Sequence, residues 1–106
     1  MAKLSTHVLD TSRGKPAAGV RICLYREGEL VASAETNQDG RTAEPLLSGD
    51  TIPEGVYQLE FAVGAYFGAA EFLDNVVVRF RVADPAANYH VPLLISPFGY
   101  TSYRGS

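Results

Sequence analysis

Six side chains in this 106-residue sequence are suited to moving a proton or gripping a polar ligand, and they are scattered along it. They are His7, Arg41, His90, and then Tyr103, Arg104 and Ser106 within the closing Tyr-Arg-Gly-Ser. An imidazole titrates near neutrality and can take or give a proton. A guanidinium is a rigid fork of donors that matches planar, oxygen-rich groups. The tail would add a phenol with its aromatic face, and a hydroxyl beside the terminal carboxylate. Gathered in one place, these groups would perform acid–base chemistry on a flat, polar molecule.

Taken singly, each has a plainer reading. A lone strand histidine such as His7 is commonly a surface or interfacial residue. His90 heads a row shared with Pro92, Leu94 and Ser96, so it reads as a satisfied core histidine or as a base whose pKa burial lowers. Arg41 follows Asp39-Gly40 and serves equally well as a solvated arginine beside a turn. Chain ends usually fray, and a free tail would do nothing.

Other chemistry finds little support. No glycine-rich phosphate loop follows a strand, and two histidines with one cysteine give no metal-ligand spacing. No metal or cofactor is therefore expected. Cys23, the only cysteine, allows no intrachain disulfide. Its setting "VRICLYR" suggests a buried, inert thiol with no basic partner to activate it. Net charge is −3 without a run of Lys or Arg, which recommends neither nucleic acid nor an anionic membrane as partner. The stretch "MAKLSTHVLD" has no long apolar segment, so no signal peptide is visible and the expected location is cytoplasmic.

Something must position these residues, and the dominant periodicity is two, the mark of half-buried strands. "KLSTHVLD" alternates Ser5, His7 and Leu9 against Leu4, Thr6 and Val8. "VRICLYR" and "LVASAETN" read as a hairpin around Glu27-Gly28-Glu29, and "QDGR" as a further turn. Residues 41–55 look like an irregular crossing. "VYQLEFAV", "NVVVRFRV" and "YHVPLLIS" are strands, "GAYFGAAEF" at 64–72 is the one plausible short helix, and "YTSYRGS" is a tail strand. Seven or eight short strands between turns predict a single all-β domain spanning 1–106, an antiparallel Greek-key β-sandwich. Pro92 can donate nothing to a ladder, which implies an edge or a bulge there. Exposed late strands invite cover by another chain.

Several blocks also carry a resemblance. "LSTHVLDTSRGKPAAGV" (4–20), "TNQDGR" (36–41), "FLDNVVVRF" (72–80), "YHVPLLISPFGY" (89–100) and the closing "YRGS" closely resemble the 5-hydroxyisourate hydrolases, the transthyretin-related family of purine catabolism. The resemblance implies a transthyretin-like sandwich of two sheets with one short helix. It further implies a homotetramer, a dimer of dimers with active sites in the channel where dimers meet. By the same resemblance His7, Arg41, His90 and Ser106 would be catalytic. His7, Arg41, Tyr103 and Arg104 would bind substrate, with Arg104 and Gly105 shaping the site. The implied reaction is hydrolytic ring opening of 5-hydroxyisourate, without metal. The rival expectation is a transthyretin-type carrier of a small ligand.

Overall fold

A computed structural model describes residues 1–69 and 71–106. In it the alternation seen in the sequence becomes nine strands and a short helix. In chain order these are β1 (Ala2–Asp10), β2 (Lys15–Pro16), β3 (Arg21–Arg26), β4 (Glu29–Glu35), β5 (Leu47–Gly49), β6 (Gly55–Phe61), α1 (Val63–Phe67), β7 (Val76–Val82), β8 (Asn88–Ser96) and β9 (Gly99–Ser102). One sheet runs β2-β1-β8-β9, with β5 also paired to β1; the other runs β4-β3-β6-β7.

The sheets bury their facing sides against each other. Leu4 and Val8 of β1, Leu24 of β3, Tyr57, Leu59 and Phe61 of β6, and Leu93 and Ile95 of β8 are fully buried. Each such side chain contributes about 1.5–3 kcal/mol of burial, so the inner faces fix the register. A slip of one residue would turn every one of them outward. The opposite side of the first sheet is then forced to carry Ser5, His7 and Leu9 of β1 beside His90, Pro92 and Leu94 of β8. That outer face positions the site.

Four expectations need correction. β1 and β8 are parallel, with Ser5 opposite His90 and His7 opposite Pro92; every other strand pairing is antiparallel. The long crossover a parallel pair needs is supplied by all the strands between them. β2 and β5 raise the strand count to nine, being too short to show alternation. The helix occupies 63–67 and stops at Gly68, whose φ of +83° ends it and whose N–H bonds back to Gly64 and Ala65; position 70, inside the expected 64–72, lies outside the described residues. Cys23 is half-exposed on the outer face of the second sheet, because the core takes its neighbours Ile22 and Leu24.

Pro92 lies on an interior strand and not at a sheet edge. Its missing N–H falls on the side of β8 that faces the tail, and the ladder lapses there. β8 and β9 pair from Ser96–Gly99 to Leu93–Ser102. Pairing resumes in the same register at His90–Gly105, so Pro92 stands opposite Tyr103 with no hydrogen to give. Ser102 Oγ donates instead to the Pro92 carbonyl at 2.8 Å. No helix among the described residues is long and apolar enough to cross a membrane.

Candidate active site

The 37–41 turn brings Arg41 to β1. Asn37 Oδ1 accepts from the backbone N–H groups of Asp39 (2.9 Å) and Arg41 (3.3 Å), the local bonding that makes asparagine a turn residue. Gly40 takes a φ of +74° and approaches β1 so closely that a β-carbon there would collide with the Val8 carbonyl. In return Val8 N–H donates to the Gly40 carbonyl at 2.8 Å. The result is a bridge between His7 and Arg41. His7 Nε2 also lies 2.8 Å from the Asp39 carbonyl, which fastens the imidazole to the same turn.

His90 is fixed from two directions. Ser5, its partner across the parallel pair, places Oγ 2.9 Å from Nδ1. On another side lies the tail: Gly105 N–H donates to the His90 carbonyl at 2.7 Å, and Gly105 packs against the ring. A β-carbon on Gly105 would stand 2.6 Å from Cδ2 and 3.3 Å from Cγ. Only glycine leaves room for the imidazole.

Burial lowers the His90 pKa below the ordinary imidazole value, and the nearby charges of Arg41 and His7 push the same way, against the opposite pull of the Ser5 backbone. Taking charge out of water and crowding it with like charge both favour the neutral ring. His90 is a partly buried histidine on an outer face, so of its two readings the lowered-pKa one fits and the core one does not.

A recess of about 370 Å3 gathers Arg41, His90 and Ser106 with Lys3, Ser5 and Asn88. A smaller one of about 190 Å3 continues past Lys3, Ser5 and Arg41 toward Thr42. His7 stands beside them through its bridge to Arg41. Of the residues singled out in the sequence, His7, Arg41, His90 and Ser106 therefore come together on one face.

Tyr103 and Arg104 lie elsewhere within the chain. They line an apolar groove of about 390 Å3 with Val78, Phe80, Tyr89 and Val91. The Arg104 guanidinium lies 4.3 Å over the Tyr89 ring and donates to the Asn88 carbonyl at 3.2 Å, so it pins the tail across β8. A larger recess, about 450 Å3, is on the other sheet around Tyr25, Gln58 and Arg79 and contains neither imidazole nor tail. Lys3, Ser5 and Asn88 line the recess and the Asp39 carbonyl holds His7, placements that residue type alone does not single out. Ser5 and Lys3 share the His7 alternation, but only the β1–β8 pairing shows what they face.

This arrangement offers a neutral imidazole, a second imidazole, two cations and a hydroxyl around a polar cavity. Comparison with known proteins points the same way. The model of the HIUase/Transthyretin family matches residues 4–105. The chain is 50% identical to the 5-hydroxyisourate hydrolase of Pseudomonas aeruginosa, over all of this chain and 93% of that protein. Its fold superposes on the Klebsiella pneumoniae 5-hydroxyisourate hydrolase with a TM-score of 0.87 at 40% identity, covering 98% of this chain and 99% of that one. Sea bream transthyretin, solved with thyroxine, gives 0.86 at 28% identity over 97% and 94% of the two chains.

Proposed function

The chain belongs to the HIUase/Transthyretin family, and we propose that it is a single-domain enzyme hydrolysing 5-hydroxyisourate to 2-oxo-4-hydroxy-4-carboxy-5-ureidoimidazoline. The observation that carries this is the recess itself: Arg41, His90 and Ser106 line it, His7 is bridged to Arg41, and Gly105 of the tail is packed on His90. Opening a cyclic acyl–nitrogen bond requires a base for water, a donor for the developing oxyanion and a grip on a flat bicycle. His7 and His90 between them supply the base and the hydrogen-bond donor, Arg41 grips substrate oxygens, and Ser106 orients water or His90. Within one subunit Tyr103 and Arg104 lie on a separate groove, so their expected part in substrate binding would require a partner subunit to bring them to a recess.

A homotetramer with sites in the channel between dimers fits the open outer face of the β1–β8 sheet, where Leu9 and Leu94 stand partly exposed on the same face as His7 and His90. The carrier alternative asks for an apolar channel and has no use for two imidazoles, a guanidinium and a docked tail together. Identity of 50% and 40% to proteins named as hydrolases, against 28% to a transthyretin, weighs the same way.

The test generates 5-hydroxyisourate in situ from urate and follows its ultraviolet decay. Faster decay with the protein is expected, as is loss of that acceleration in His7→Ala, His90→Ala and Arg41→Ala. An unchanged decay rate removes the assignment, and near-wild-type turnover in either histidine variant removes that residue from the mechanism.

A further inference from the structure

The two imidazoles are held by opposite nitrogens. His7 Nε2 faces the Asp39 carbonyl at 2.8 Å. A carbonyl can only accept, so this nitrogen carries the hydrogen, and the neutral ring keeps its lone pair on Nδ1. His90 is held by Nδ1, at 2.9 Å from the Ser5 hydroxyl, while Gly105 covers its Cγ–Cδ2 side. The Cε1–Nε2 side is the part of the ring left for the recess. Among the described residues the Ser5 hydroxyl bonds to this imidazole alone. Donation to Nδ1 gives its proton a partner, and the ring's own hydrogen then sits on Nε2.

We infer that Ser5 is a positioning residue: by donating to Nδ1 it holds His90 as the Nε2–H tautomer, a hydrogen-bond donor toward a ligand carbonyl, and leaves the base role to His7. A neutral imidazole kept neutral by its surroundings is an established kind of electrophile, and burial with the nearby positive groups keeps His90 in that form.

The chemistry rests on the hydrolase reading above; the tautomers do not. Water oxygen bonds to the ring carbonyl carbon as His7 Nδ1 takes one water proton. The carbonyl π pair moves to oxygen, which His90 Nε2–H and Arg41 hold. On collapse the C–N pair leaves with nitrogen, which takes the proton from His7 Nδ1. One water is consumed, both imidazoles end neutral, and the His90 hydrogen never leaves its ring.

Imidazole 15N NMR on the full-length protein, above the titration of His90, reads the tautomer directly. The expected wild-type state is Nε2–H for His90, unchanged in Ser5→Thr and converted to a mixture in Ser5→Ala. With 5-hydroxyisourate, Ser5→Ala should lose on the order of tenfold in kcat with KM within about twofold, the worth of one hydrogen bond, and Ser5→Thr should recover it. An Nδ1–H tautomer in the wild type, or a Ser5→Ala protein with tautomer and kcat unaltered, overturns the inference. Failure of the wild type to hydrolyse the substrate would overturn the function, while the tautomer measured by NMR would still decide the part played by Ser5.

Discussion

Gly105 lies flat against the imidazole of His90, near enough that a β-carbon would come within 2.6 Å of Cδ2 and 3.3 Å of the Pro92 ring. The tail thereby packs on this imidazole through the one residue that has no side chain. Gly105→Ala should displace the His90 ring or lift the tail. A misplacement of about 1 Å can cost on the order of a hundredfold in rate, so kcat should fall by roughly that factor. Thermal unfolding should stay near wild type, since Gly105 contributes one bridge and none of the buried core side chains. Deletion of 103–106 should reproduce the loss, and wild-type kcat in either variant would separate the tail from the chemistry.

The turn beneath Arg41 makes a second demand on glycine. Gly40 combines a φ of +74° with contact against the Val8 carbonyl, so any side chain meets both backbone strain and a collision. Gly40→Ala should destabilise the protein by about 1–3 kcal/mol in urea unfolding. It should also weaken turnover by moving Arg41 away from His7. Gly14 and Gly28, with positive φ but open space around them, provide the control. Alanine there strains the backbone alone and should leave kcat intact.

These positions also show where sequence reading reaches and where it stops. Alternation places Ser5, His7 and Leu9 on one face of β1, and His90 with Pro92 and Leu94 on one face of β8, because a buried inner face leaves a strand no other choice. It cannot say that the two strands are parallel neighbours, so the Ser5–His90 bond between residues 85 positions apart is invisible to it. Pro92 announces a missing ladder bond, yet the lapse falls opposite Tyr103 within an interior strand and not at an edge. Its place in the tail groups Arg104 with the site. The register of that tail turns it to the inner side, over Tyr89. Side-chain direction at the chain's end depends on pairing that begins at Ser96–Gly99, which composition does not encode.

Lys3 enters the recess with Arg41, a place that its residue type alone does not suggest. Two cations around one cavity favour a ligand with carbonyl or enolate oxygens through long-range attraction. Lys3 is exposed, so that attraction is screened by salt. Lys3→Ala should raise KM about three- to tenfold at low ionic strength and leave kcat within about twofold, as expected for loss of uniform binding. The gap between variant and wild type should close as salt is added. A kcat effect that persists in high salt would instead place Lys3 against the reacting atoms.

His90 also ties stability to pH. Its folded-state pKa lies below the ordinary imidazole value, chiefly through burial and then through Arg41 and His7. Between the folded value and about 6.5 the unfolded chain binds the extra proton, so stability rises with pH across that window. Acidification should begin to erode stability near pH 6.5, and this contribution should stop growing once the pH has passed below the folded pKa. Urea unfolding from pH 8 to pH 5 measures the slope, and His90→Gln should flatten it. Arg41→Ala removes one of the charges that hold the ring neutral, so NMR titration of that variant should find the His90 pKa moved up. A His90 titration unmoved by Arg41→Ala would mean that guanidinium and imidazole do not sense each other, and the recess could not then hold both against one substrate.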